Sequence, residues 1–296
     1  MKKPIGGILR IAHIINPVKI IDKERDLFFQ QPIAFKSLRN AKHFAERVPN
    51  LEIQLVETAY PEDQDVINCS NFIKTEPLED EVSNYGKFKT YRKLPLFREI
   101  LKRLYETAPD ADYYIQTNAD IGVMPHFYVL IYDMIKDGND SFCINKRIIP
   151  EELKDSELSL LYSVLGKDHA GHDCFVFRRE LYPKFNLGDI CMGTPWSETT
   201  LITNLVAYAK NFKVFKQAHA TFHLGDRRIW LPKTLNDYRV HNTNEFARIL
   251  RLLSNKNKEM LKHETIVYLL SKLRREMEVY PDEPYSKNCK YFGDKV

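Results

Sequence analysis

The residues best suited to chemistry lie where an apolar stretch stops and a carboxylate follows. Residues 112–124 read Asp-Tyr-Tyr-Ile-Gln-Thr-Asn-Ala-Asp-Ile-Gly-Val-Met, which places Asn118 and Asp120 directly after the apolar run. Hard divalent cations such as Mg²⁺ and Mn²⁺ prefer oxygen ligands and are usually held by one or two carboxylates plus substrate phosphates. Asp120 is therefore a candidate metal ligand. An Asx turn that caps a strand end is the alternative interpretation.

Two later polar segments carry further acids. Residues 166–179 combine glycines, two histidines and Asp173, and they lead into an apolar run that predicts a buried strand. Residues 193–201 read Gly-Thr-Pro-Trp-Ser-Glu-Thr-Thr-Leu, which places Glu198 at the start of a predicted helix. A carboxylate within reach of an acceptor hydroxyl can act as a general base. The alternatives are a turn residue for Asp173 and a helix-capping acid for Glu198.

The segment 218–230 combines histidines with arginines. If it forms an alternating strand, period two places His219, Thr221 and His223 on one face. Arg227 and Arg228 follow, and a guanidinium can bind a diphosphate through two hydrogen bonds. A structural histidine is the alternative interpretation of His223.

A basic stretch runs from Lys87 to Lys93 and precedes a predicted helix. Helix amino termini favour anions, so Lys93 is a candidate contact for a nucleotide diphosphate. A solvated basic loop is the alternative interpretation. The sequence contains no Gly-rich phosphate loop of the dinucleotide or Walker type, which argues against a dehydrogenase or a kinase.

The segment around Asp120 resembles the acid-x-acid motif of GT-A glycosyltransferases, here in the form Asn118-Ala119-Asp120. The resemblance implies that Asp120 binds the metal and the diphosphate, and that Asn118 lies near the nucleotide. It further implies that Asp173 binds a sugar hydroxyl on the acceptor side, that Glu198 is the catalytic base, and that His223 completes the metal coordination. The first acid of the motif is replaced by asparagine.

The apolar patterns place these residues at the ends of alternating strands and helices. A continuous β-branched run at residues 8–15 is typical of a strand buried on both faces of a parallel sheet. Ligands of such sheets bind beyond the carboxyl ends of the strands. Further strands are predicted at residues 51–56, 113–117, 141–145 and 174–177, and an extended segment at 214–222. Helices are predicted at residues 35–48, 94–105, 127–135, 151–165, 199–210, 244–253 and 259–279.

Composition limits the class of protein. The chain has 296 residues and a net charge of +4 from 44 basic and 40 acidic residues. This near balance of charges does not give the strongly positive surface of a dedicated nucleic-acid-binding protein. No window reaches the roughly 20 apolar residues of a membrane span. Five cysteines at irregular spacings are typical of reduced thiols. We therefore expect a cytoplasmic protein, with any membrane association peripheral.

Together these features predict an α/β fold with a mostly parallel central sheet flanked by helices, GT-A-like and Rossmann-like, with a helical C-terminal tail. The expected domains are a catalytic domain at residues 1–243 and a helical extension at 244–296. The expected activity is Mn²⁺- or Mg²⁺-dependent transfer of a sugar from a nucleoside diphosphate to an acceptor hydroxyl. The acceptor could be a glycan, a lipid-linked saccharide, a protein or a modified nucleic acid. The alternative is a non-catalytic GT-A-like protein that binds a sugar or nucleotide.

Overall fold

The structure is a computed structural model that describes residues 7–226 and 235–293. The chain divides into two compact units. The sheet unit comprises the described parts of Met1–Leu78, Leu101–Tyr182 and Lys210–Arg227. The helical unit comprises the described parts of Glu79–Ile100, Pro183–Ala209 and Arg228–Val296. The predicted domain boundary between residues 243 and 244 stays a prediction.

All described strands belong to the sheet unit. They are β1 (Leu9–Ile15), β2 (Leu51–Glu57), β3 (Phe72–Lys74), β4 (Tyr113–Thr117), β5 (Gly122–Val123), β6 (Ser141–Ile149), β7 (Lys167–Arg178), β8 (Phe212–Phe215) and β9 (Thr221–Leu224). Within the described residues they form one sheet in the order β3-β2-β1-β4-β7-β6-β9-β5, with β8 paired to β6. Strands β1 to β4 are parallel, as are β8 and β9 to β6. The antiparallel pairs are β4 with β7, β6 with β7, and β5 with β9.

Along the chain, the helices lie between the strands and after the last strand. They are α1 (Asp26–Ala45), α2 (Phe97–Thr107), α3 (Phe127–Lys136), α4 (Leu158–Ser163), α5 (Ser197–Tyr208), α6 (Asn236–Lys256), α7 (Glu264–Val279) and α8 (Lys287–Gly293). The predicted α/β fold with a mostly parallel sheet, flanking helices and C-terminal helices is thus confirmed.

The central strands are apolar because both of their faces are covered. Ile11 and Ile115 belong to the core cluster that also contains residues of α1 and α3. On the opposite face, the Tyr114 ring packs edge-on against Tyr105 of α2, and its hydroxyl donates to the Ala108 carbonyl. Each fully buried aliphatic or aromatic side chain stabilises the fold by about 1.5 to 3 kcal/mol. This packing fixes the carboxyl ends of β1, β2 and β4 at one edge of the sheet.

The first helix begins earlier than its apolar pattern predicts. The predicted start at Phe35 is wrong, because α1 begins at Asp26 and includes Pro32. The Gln30 side-chain amide donates to the Leu224 carbonyl at 2.6 Å, and the Gln31 amide donates to a loop carbonyl at 2.8 Å. These buried tertiary hydrogen bonds hold the first turns of the helix in place, although Pro32 removes one N–H donor.

Two other predicted elements are divided in the structure. The predicted helix at 151–165 is wrong as a single element: a short 3₁₀ helix at Glu151–Leu153 precedes α4. The predicted extended segment at 214–222 splits into β8 and β9. His219 lies between them with a φ of 50°. Because this left-handed backbone ends the extended chain, the prediction that His219 shares a strand face with Thr221 and His223 is wrong.

The helical unit is built from α5 to α8 and the amino-terminal part of α2. Helix α6 packs against both α5 and α8, and α7 packs against α8. Its buried face has helical spacing, since Phe246, Ile249, Leu250 and Leu253 follow one another at intervals of three, one and three residues. The predicted boundary at 243/244 falls inside α6. No helix in the described ranges 7–226 and 235–293 is long and apolar enough to cross a membrane.

Candidate functional site

The motif residues follow β4 at the carboxyl edge of the parallel strands. The backbone N–H of Ile121 donates to the Asn118 carbonyl at 3.2 Å, so residues 118–121 form a tight turn. Ala119 is buried inside this turn. The Asp120 side chain is 22% exposed. The turn therefore orients Asp120 as well as ending the strand.

Asp120 forms an ion pair with His223, the histidine that was predicted to be the second metal ligand. His223 Nε2 lies 3.4 Å from Asp120 Oδ2. The other ring nitrogen, Nδ1, donates to the Gly225 carbonyl at 2.8 Å, which fixes the orientation of the ring. Gly225 has a φ of 72°, and glycine adopts this left-handed conformation without strain. The chain turns there and brings its carbonyl back to the ring.

Asp120 and His223 stabilise each other's charged forms. Burial alone raises the pKa of Asp120 and lowers the pKa of His223. Their contact and opposite charges outweigh burial, so the pKa of Asp120 lies below its ordinary value and the pKa of His223 lies above it. Asp120 is therefore a carboxylate at neutral pH.

These two residues fit a divalent cation. Asp120 Oδ1 is buried and has no hydrogen-bond partner in the described structure. A metal-bound histidine commonly donates its second ring N–H to a backbone carbonyl, as His223 does to Gly225. In residues 7–226 and 235–293, no group of three or more His, Cys, Asp or Glu side chains is arranged to hold a metal. A site with two protein ligands suits Mg²⁺ or Mn²⁺, whose remaining ligands are waters and phosphates.

A second ion pair lies beside the first. Lys146 Nζ, on β6, lies 3.2 Å from Asp173 Oδ1, on β7, and both side chains are 12% exposed. Asp173 Oδ2 is buried with no hydrogen-bond partner among the described residues. The Lys146 charge also contributes to lowering the pKa of Asp120, after the hydrogen bond and charge of His223. The structure thus brings Asp120, His223 and Asp173 into one cluster, which we name the acid–histidine cluster together with Lys146.

Two residues near the edge of this cluster complete its polar rim. His169 Nε2 lies 3.8 Å from Asp226 Oδ1. Burial and, after it, the charge of Lys146 lower the pKa of His169. The His169 ring is therefore neutral at physiological pH and accepts from the Gly171 N–H through Nδ1 at 2.8 Å.

A buried acid that was not predicted from the sequence, Glu57, lies at the same sheet edge. Glu57 is the last residue of β2 and pairs in register with Ile15 of β1. Burial raises its pKa to about 7, against the opposing charge of Lys74, whose Nζ lies 3.6 Å from Oε1. Neither carboxyl oxygen has a hydrogen-bond partner among the described residues. The sequence feature that could have identified Glu57 is an acid at the end of an apolar strand. A similar pattern identified Asp120.

Lys146 was also missed. The polar residues Asn145, Lys146 and Arg147 interrupt the apolar strand β6. A charged side chain in a buried strand needs a partner, so this interruption was a usable signal. Its partner Asp173 could not be predicted, because irregular pairing of β6 with β7 at residues 144–147 determines which side chains meet.

The remaining nominated residues are Glu198, Lys93 and Arg227. Glu198 and Lys93 belong to the helical unit. Glu198 is in the first turn of α5, where the Ser197 hydroxyl donates to its Oε2 at 2.7 Å. Lys93 is exposed and precedes α2. Arg227, nominated for the diphosphate, lies outside the described residues, as does Arg228. The roles assigned to all these residues stay predictions.

The comparisons with known proteins concern the fold. No family model matches the sequence, and no curated protein matches it. S. aureus TarS 1-349 in complex with UDP-GlcNAc is similar with a TM-score of 0.44 and 11% identity, over 90% of this chain and 81% of that chain. The complex of the same protein with UDP has a TM-score of 0.42 and 11% identity, over 90% and 78% of the two chains. For 4-diphosphocytidyl-2C-methyl-D-erythritol synthase from Anaerococcus prevotii, the TM-score is 0.38 and the identity 11%, over 83% and 99%.

Proposed function

We propose that the chain is a glycosyltransferase that moves a sugar from a nucleoside-diphosphate donor to an acceptor hydroxyl. The observation that supports this most strongly is the acid–histidine cluster at the carboxyl edge of the sheet. It combines an ionised Asp120, an oriented His223 and a buried cation at the edge where ligands of open α/β sheets bind. An anionic ligand with a metal suits this combination of charges.

A divalent cation, Mn²⁺ or Mg²⁺, would be held by Asp120 and His223 and would stabilise the negative charge of the departing diphosphate. Asp120 Oδ1 supports this assignment, because a buried carboxylate oxygen without a protein partner is costly unless a ligand or water satisfies it. Asn118 can contribute only hydrogen bonds to the nucleotide.

The catalytic base is a separate requirement of the reaction. Inverting transfer requires a group that accepts the proton of the acceptor hydroxyl as the new glycosidic bond forms. Glu198 stays the predicted base and Asp173 the next candidate. Asp173 Oδ1 is already engaged by Lys146 Nζ at 3.2 Å.

Ligand-dependent thermal stabilisation tests the proposal. The intact chain would be heated with UDP, GDP, CDP or ADP, each with Mn²⁺ and each with EDTA. A ligand at 100 times its dissociation constant stabilises the native state by about 2.7 kcal/mol, which corresponds to a rise in Tm of about 5 °C for a chain of this size. Stabilisation by one diphosphate with Mn²⁺, and transfer from its sugar conjugate, are expected. Stabilisation without any turnover would favour the non-catalytic binding protein, and no stabilisation would contradict nucleotide binding.

A further inference from the structure

Lys146 is a largely buried cation that follows an apolar stretch of β6. The residues that precede it on β6, Phe142, Cys143 and Ile144, are fully buried. The Lys146 side chain is only 12% exposed. Burying an ammonium group costs several kcal/mol unless opposite charges compensate it. Such a residue in a strand interior is expected to have a specific electrostatic role.

The strand register places Lys146 beside the predicted metal ligands. Ile148 of β6 is paired with His223 of β9. Lys146 lies two residues before Ile148, and its charge acts to lower the pKa of both His223 and Asp120. His223 contacts Asp120, and Lys146 contacts Asp173. The Lys146 ammonium group therefore lies among two carboxylates and a histidine at the ligand edge.

The charges in this cluster favour an additional anion once a metal is present. Asp120 and Asp173 supply two negative charges, and Lys146 supplies one positive charge. A divalent cation on Asp120 and His223 would make the cluster positive. A lysine ammonium is a compact point charge that binds phosphate well.

We propose that Lys146 binds the diphosphate of the donor, and that Asp173 is a positioning residue that holds Lys146 in place. This inference rests on the proposed function, and it changes the role of Asp173 from contact with the acceptor to support of a cation. Lys146 would stabilise the charge that develops on the diphosphate as the bond to the sugar breaks.

The test compares ligands that differ only in their phosphates. Affinities for the tightest-binding of UDP, GDP, CDP and ADP, and for its nucleoside, would be measured by calorimetry with Mn²⁺. Lys146→Met is expected to weaken diphosphate binding about 10- to 100-fold, the value of one charge-assisted hydrogen bond, and to leave nucleoside binding unchanged. Lys146→Arg should retain most of the affinity. The matched control is Lys213→Met, which removes a charge from an exposed position on β8.

A double variant separates binding from folding. Lys146→Met leaves Asp173 buried without its cation, so its Tm is expected to fall. Lys146→Met/Asp173→Asn removes both charges and should recover much of the Tm, while its diphosphate affinity stays low. Normal diphosphate affinity in the double variant would overturn the inference and leave the ion pair a structural feature.

Inorganic pyrophosphate distinguishes failure of this inference from failure of the proposed function. If the unaltered chain binds diphosphates and Lys146→Met binds them equally well, the inference fails and the proposed function stands. If the unaltered chain binds no nucleotide, yet pyrophosphate with Mg²⁺ raises its Tm and not that of Lys146→Met, the anion site stands and the proposed function fails. If neither ligand stabilises the chain, both fail.

Discussion

Glu57 makes the stability of the chain dependent on pH in a direction opposite to that of most acids. Its side chain is 4% exposed and its pKa is raised from 4.5 to about 7. An acid with a raised pKa in the folded state contributes stability that is fully present below the unfolded pKa. That stability is lost as pH rises from about 4.5 through about 7. Glu57→Gln removes this dependence, because glutamine carries no charge at any pH.

The magnitude follows from the shift. At about 1.4 kcal/mol per unit of pKa, the ionised carboxylate at pH 8 costs about 3 kcal/mol relative to the protonated form, and at pH 5 less than about 1 kcal/mol. Urea unfolding of both proteins at pH 5 and pH 8 measures the difference. The stability of Glu57→Gln relative to the unaltered chain should increase by about 2 to 3 kcal/mol between the two pH values. The control Glu76→Gln, at an exposed position, should show no such increase. A constant difference between Glu57→Gln and the unaltered chain would refute the reasoning.

Two further predictions concern a buried histidine and the predicted base. Burial lowers the pKa of His13 to about 3, so stability that is present above pH 6.5 should decrease by about 3 kcal/mol as pH falls to 4. His13→Gln should show a weaker acid destabilisation in urea unfolding than the exposed control His43→Gln, and equal pH profiles would contradict this. Glu198→Gln should lower the transfer rate about 10²- to 10⁴-fold with donor affinity retained if Glu198 is the base. Near-normal turnover with a loss of about 1 kcal/mol in stability would assign Glu198 to helix capping instead.

The sheet and the central part of the site could be predicted because local sequence determines them. The structure contains β1 where the apolar run predicts it, and it ends β4 where the predicted polar residues begin. Asp120 and His223, the two predicted metal ligands, lie 3.4 Å apart, and their role in binding a metal stays a prediction. Both strand predictions depend on an apolar run that is followed by polar residues at the carboxyl edge.

The errors arose where distant contacts determine the local structure. Helix α1 starts at Asp26, where the Gln30 side chain donates to the Leu224 carbonyl of β9, a residue far away in sequence. His219 leaves the extended conformation, and the Arg147 guanidinium contacts its ring nitrogen at 3.0 Å. The partnership of Lys146 with Asp173 depends on irregular pairing between β6 and β7. The hydrophobic periodicity of the sequence contains no information on these contacts between distant residues.

Calorimetric titration of Asp120→Asn tests most directly whether Asp120 makes nucleotide binding metal-dependent. The titrant is the nucleoside diphosphate that the unaltered chain binds most tightly, with and without Mn²⁺. Asparagine preserves the size of the side chain and removes the charge that would hold the cation. We expect the unaltered chain to bind the diphosphate much more tightly with Mn²⁺, and Asp120→Asn to lose this difference. Asn118→Ala should lose only about 0.5 to 1.5 kcal/mol of binding free energy, the value of one neutral hydrogen bond. Unchanged Mn²⁺-dependent affinity in Asp120→Asn would contradict the metal site.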